Sequence, residues 1–170
     1  MKTIIMGLIV SLITTAVLAQ HENVMVTSFE TSNHKVYEKS AANSNYINAA
    51  LEKTVAKRIA TLEDIVANYD IKQESIYSPN KKTTYTVDFK QNSDHIKAIY
   101  DQEGLIIKTE EAYNNVRMPY SISGKLAQNY PGWSFENVKC LITYSNGDKR
   151  IAYHVELAKG RDSKLVELIH

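Results

Sequence analysis

The chain has 170 residues, 44% of them hydrophobic and 23% charged, with 20 basic and 19 acidic side chains. That length suits one domain with a substantial core rather than two independent ones, and the interleaved, nearly balanced charge excludes the basic surplus that nucleic-acid binding requires. Cys140 is the one cysteine, so no internal disulfide can form and burial has to supply the stability.

The first residues have the order of an export signal. Lys2 is a positive start, Ile4, Ile5, Met6, Leu8, Ile9, Val10, Leu12 and Ile13 form a compact apolar core, and Val17-Leu18-Ala19 are the small or aliphatic residues a signal peptidase reads. The pattern predicts a signal peptide over residues 1–19, cut before Gln20, and an exported protein, periplasmic or secreted, with no membrane span after cleavage. The competing reading is an uncleaved anchor. The uncharged run from Thr3 to Gln20 is only marginally long enough to cross a bilayer, and Ser11, Thr14 and Thr15 dilute it. Cleavage leaves about 151 residues, with 19 side chains of each sign.

Residues 20–45 are polar and irregular, with a short alternating stretch from Val24 to Phe29 that suits an edge strand and a loop or helix lead-in at 40–45. Leu51, Val55, Ile59, Leu62, Val66 and Tyr69 then recur at spacings of four and three, predicting an amphipathic helix whose charged side carries Glu52, Lys53, Lys57, Glu63 and Asp64. Thr61 is a candidate cap for a second helical segment. From Ile71 to Asn115 the period falls to two. Thr83–Lys90 sets Tyr85, Val87 and Phe89 against Thr84, Thr86, Asp88 and Lys90, and His95–Tyr100 and Leu105–Thr109 continue the pattern less cleanly. Asp101-Gln-Glu-Gly104 reads as the turn between them.

A second helix is predicted from Pro119, which suits a first turn, through Ile122, Leu126 and Tyr130 to the Pro131-Gly132 stop. Strands return after Trp133: Val138, Cys140, Ile142 and Tyr144 alternate, Asn146-Gly147 is a hairpin turn, and Tyr153, Val155 and Leu157 answer it. Leu165–Ile169 is the last strand.

The two halves repeat one another. Asn68-Tyr69 and Asn129-Tyr130 each close a helix, and Tyr85-Thr-Val-Asp-Phe89 matches Tyr153-His-Val-Glu-Leu157 position by position. The expected fold class is therefore α+β: two helix-plus-antiparallel-meander units, about 46–115 and 116–170, forming one sheet with both helices packed on one face. The order of elements resembles the PepSY-like family of small exported bacterial proteins, also called β-lactamase-inhibitor-like. The residues that carry the resemblance are Tyr85-Thr-Val-Asp-Phe-Lys90, Ile96-Lys-Ala-Ile-Tyr-Asp101 with Glu103-Gly104, Pro119, Leu126 and Tyr130-Pro-Gly-Trp133. It covers roughly Leu51 to His170. It implies an envelope or secreted location and, through its name, binding to or inhibition of other secreted proteins, and it brings no catalytic residues.

No reactive constellation stands out. His21, His34, His95, His154 and His170 lack the spacing of a zinc site. There is no Gly-x-Ser-x-Gly elbow, phosphate loop or dinucleotide fingerprint, so no cofactor is expected. The adjacent pairs Glu63-Asp64 and Glu110-Glu111 read as solvent charges. Cys140, between Val138 and Ile142, reads as a small apolar filler. His154 is expected beside Glu156 on a wet face. The 11 tyrosines suit half-buried strands, with Tyr85 and Tyr153 directed to the core, and Trp133 is expected to pack the corner after the second helix. The reading that follows is a non-catalytic exported binding module. It engages another envelope or secreted protein, or its peptide, through an open sheet face carrying Thr84, Thr86, Asp88, Lys97, Thr143, His154 and Glu156, or through a sheet edge. The alternatives are an inhibitor of a secreted peptidase or β-lactamase, which rests on the resemblance, and an enzyme with a dispersed site.

Overall fold

A computed structural model describes residues 23–24, 41–48, 57–80 and 82–169. The predicted signal peptide, Leu51, Val55 and residues 25–29 of the expected edge strand lie outside these. The described chain is mixed α+β. Strands β1 (Asn23–Val24), β2 (Tyr85–Gln91), β3 (Asp94–Tyr100), β4 (Ile106–Asn114), β5 (Ser134–Ser145), β6 (Asp148–Lys159) and β7 (Asp162–Ile169) form one sheet in sequence order. Six of them make an antiparallel meander, and β1 joins β2 in parallel. Helices α1 (Ser44–Asn48) and α2 (Lys57–Ala67) precede β2, and α3 (Tyr120–Asn129) separates β4 from β5. Among the described residues no helix is long and apolar enough to cross a membrane.

The meander follows from turn chemistry. Asn146 and Gly147 both take positive φ, 50° and 99°, the mirror-image turn whose twist matches the two strands it joins. Its strictness fixes the pairing of Ser145 with Asp148, and so the register of the whole β5–β6 ladder down to Ser134 and Ala158, apart from one bulge between Phe135 and Asn137.

The same alternation decides which side chains are buried. Tyr85, Val87 and Phe89 of β2, Ile96, Ala98 and Tyr100 of β3, Cys140, Ile142 and Tyr144 of β5, and Tyr153, Val155 and Leu157 of β6 all join the core. Ile59, Leu62 and Val66 of α2 meet them. The Tyr69 ring stands edge-on to Phe89 at 5.1 Å, and the Tyr100 hydroxyl donates to the Val66 carbonyl at 2.7 Å, an acceptor near the end of α2 that the Tyr69 N–H also reaches at 3.3 Å. Buried Asn43 ties the segments together. Its amide donates to the Ala67 carbonyl at 3.0 Å and its oxygen accepts from the Ile106 N–H at 2.8 Å.

Several expectations change. Thr61 caps nothing: it lies inside α2, and its hydroxyl donates to the Lys57 carbonyl one turn back. Pro119 precedes α3 rather than opening it, and its carbonyl accepts from Ile122 and Ser123. β4 begins at Ile106 and runs to Asn114, five residues past the expected Thr109, while Leu105 is exposed. The extension was hidden because its inward residues are Thr109, Glu111 and Tyr113, and alternation is normally read from apolar side chains.

Candidate functional site

The side of the sheet away from the core presents ordered rows, because directly paired residues in an antiparallel ladder point the same way. One row runs Asp88, Lys97, Glu110, Thr143 and Arg150 across β2 to β6. The next runs His95, Ala112, Leu141, Ala152 and Ile169 across β3 to β7, and a third holds Asn114, Lys139, His154 and Glu167. A largely apolar stripe is thus bordered by charge on both sides. Ile169 at its end is 81% exposed. A shallow depression of ≈ 280 Å³ opens on the stripe, lined by His95, Lys97, Glu110, Ala112, Leu141 and Thr143. The small Ala112 side chain leaves it room beside Leu141.

Of the expected open-face residues, Asp88, Lys97 and Thr143 share the first row. Asp88 Oδ1 is 3.1 Å from Nε2 of His95. Lys97 sits between Asp88 and Glu110. Glu110 accepts from the Lys108 ammonium at 2.6 Å, and that hydrogen bond, with Lys97 adding attraction, holds its carboxyl below the ordinary value. His154 and Glu156 lie farther along the face, beside a second depression of ≈ 230 Å³ that they line with Asn114, Lys139 and Leu165. His154 does not pair with Glu156. Its Nε2 is 3.6 Å from Glu167 Oε1 on β7, while Glu156 accepts from the Asn137 amide at 3.2 Å. Cross-strand neighbours are closer than residues two apart on one strand.

Thr86 does not belong to an open surface, being 3% exposed. It lies between Val24 of β1 and Ile99 of β3, flanked by strands on both sides. Thr84 precedes β2 and is half-buried.

The core holds a second constellation that the residue pattern had not suggested. Glu63 of α2 and Glu111 of β4, both expected in solvent, are 4% and 3% exposed. Each adjacent acid pair does split, with Asp64 and Glu110 exposed, but the other member of each goes inward. Glu111 Oε1 accepts from the Tyr46 hydroxyl at 2.9 Å and the Thr109 hydroxyl at 2.7 Å, and Oε2 accepts from Tyr113 at 2.7 Å. Glu63 Oε1 is 2.8 Å from the ammonium of Lys149, a pair almost wholly removed from water. The same ammonium stands 4.9 Å from the centre of the Tyr46 ring.

The charges decide who carries protons. Burial, followed by repulsion from Glu111, pushes Glu63 up from 4.5 to about 7 against the pull of Lys149. One proton on the two carboxyls beside one ammonium would make the cluster neutral, the low-cost state in a dry interior. Burial, reinforced by Glu111, also drives the Tyr46 and Tyr113 hydroxyls well above 10, so both remain donors.

Two signals in the sequence mark this cluster in hindsight. Glu63 falls four residues after Ile59 and three before Val66, inside the apolar stripe. Counting back by two from Tyr113 puts Glu111 and Thr109 inward. Tyr46 carried no such signal.

Cys140 is buried on β5, and desolvation pushes its thiol up to about 12, which leaves it a poor nucleophile. Among the described residues no group of three or more His, Cys, Asp or Glu side chains is placed to hold a metal. No protein-family model, no curated protein and no solved structure matches the chain.

Proposed function

We propose that the chain is an exported, non-catalytic binding module that engages another envelope or secreted protein, or a peptide from one, through the outer face of its sheet. The observation that carries this reading is the bordered stripe: half-buried Ala112, Leu141 and Ala152 and exposed Ile169 lie between a row holding Asp88, Lys97 and Glu110 and a row holding Lys139 and Glu167. Apolar surface rimmed by charge is the usual anatomy of a protein-binding patch.

The finer architecture belongs to the same proposal. Two helix-plus-meander units, about 46–115 and 116–170, would set α2 and α3 on the inner face and leave the outer one free. Support comes from Leu126 of α3, which belongs to the same buried cluster as Ile59 and Leu62 of α2. It comes also from Lys164, paired with inward-facing Leu157 and lying 5.0 Å from the Tyr130 ring just after α3. The PepSY-like resemblance and the signal-like start at Lys2 support the exported location.

The test is capture from envelope extract by the immobilised protein starting at residue 20. Leu141→Asp and Lys97→Glu should abolish capture of a defined band while leaving the melting temperature unchanged. Capture that survives both changes, and fails only in core-destabilised variants such as Phe89→Ala, would sink the outer-face reading.

A further inference from the structure

Glu63 lies on α2, Glu111 at the middle of β4, and Lys149 one residue past the β5–β6 turn. Three separate pieces of the fold therefore meet through one buried polar cluster, and Tyr46 adds α1 as a fourth. Among the described residues, the groups facing it are Tyr46 from α1, Glu63 from α2, Tyr100 from β3, Thr109, Glu111 and Tyr113 from β4, Cys140 and Tyr144 from β5, and Lys149 and Tyr153 from β6. Lys149 is the one cation in that set. With both carboxyls ionised the cluster carries one uncompensated negative charge away from water, and the two acids repel each other across the α2–sheet contact.

We propose that Glu63, Glu111 and Lys149 form a proton-operated latch. With one proton bound between the two carboxyls it holds α1 and α2 against the sheet, and with that proton lost it releases them.

The direction follows from linkage. Glu63 is pushed up to about 7 in the folded state, from 4.5. The closed form thus binds more protons than the open one between those values. The closing contribution is complete below pH 4.5, falls as pH rises towards 7, and is gone above it. This is the reverse of the usual carboxylate, because burial and a second acid outweigh Lys149. An exported protein meets such changes in its surroundings directly.

Amide hydrogen exchange as a function of pH tests the latch. After correction for intrinsic exchange, protection of the α2 amides Leu62–Ala67 should fall roughly tenfold for each pH unit between 5 and 7 and then level off. The β6 amides around Val155 should change less than threefold over that range. Glu63→Gln, which is neutral at every pH and keeps its hydrogen-bonding groups, should flatten the α2 profile. A wild-type α2 profile that is flat, or that follows β6 in parallel, overturns the proposal, as does a Glu63→Gln profile matching wild type. Should Glu63→Gln not fold, the carboxyl carbons of the wild-type protein can be titrated by NMR. One buried glutamate with a midpoint near 7 supports the latch, and all glutamates titrating below 5.5 refutes it.

Discussion

Lys149→Met replaces the cation of the core cluster with a side chain of similar length and no charge. The native ammonium is 4% exposed and 2.8 Å from Glu63 Oε1, so its removal leaves two carboxyls buried with no positive partner. Breaking a buried pair from one side costs about 3–5 kcal/mol, and loss of the contact with the Tyr46 ring adds about 0.5–2 kcal/mol. At pH 6.5, below the value of about 7 at which Glu63 loses its proton, the cluster is still closed, and the expected destabilisation is at least about 3 kcal/mol. At pH 5 it should shrink, because a protonated Glu63 needs no cation. Urea unfolding followed through Trp133 fluorescence at the two pH values reads both numbers. The double variant Lys149→Met/Glu63→Leu should recover about 2 kcal/mol or more relative to Lys149→Met, since no orphaned charge remains at position 63. A loss below about 1 kcal/mol at pH 6.5, in the range of an exposed ion pair, would mean that Lys149 reaches water and that the cluster is not dry.

Phe89 is fully buried against Tyr69, and Phe89→Ala should cost about 3–5 kcal/mol in urea unfolding. Tyr100→Phe removes only the hydroxyl that donates to the Val66 carbonyl. The expected loss is about 1–2 kcal/mol, with the largest rise in hydrogen exchange at the C-terminal end of α2. Cys140 should resist a thiol reagent in the folded protein at pH 8 and react stoichiometrically once unfolded, because its protonated form persists to about 12. Rapid labelling of the native protein would contradict the burial of β5.

The antiparallel strands were readable because tight turns and alternation act over a few residues. Asn146-Gly147 dictates its own turn, and Tyr85, Val87 and Phe89 reach the core by the period of the chain alone. The candidate face was readable only as a set of phases. Asp88, Lys97 and Thr143 could be assigned to one side of the sheet, but that they share a row, with Glu110 between Lys97 and Thr143, depends on register carried through four strands from Asp88 to Thr143, 55 residues apart. Thr86 shows the limit of phase. It points outward by alternation and is nonetheless 3% exposed.

The buried acids show the same division more sharply. Helical spacing places Glu63 on the apolar side of α2, and alternation places Glu111 on the inward side of β4, so their orientation was written in the local period. Their tolerance there was not. A carboxylate in a core is affordable only with donors and a counter-charge, and those come from Tyr46, Tyr113 and Lys149, the last 86 residues from Glu63. Composition and periodicity determined a disulfide-free α+β chain with antiparallel strands, because those are short-range properties of the polymer. Which charges face water, which are buried together and which border an apolar stripe were decided by tertiary contacts, because desolvation depends on what the rest of the chain brings alongside.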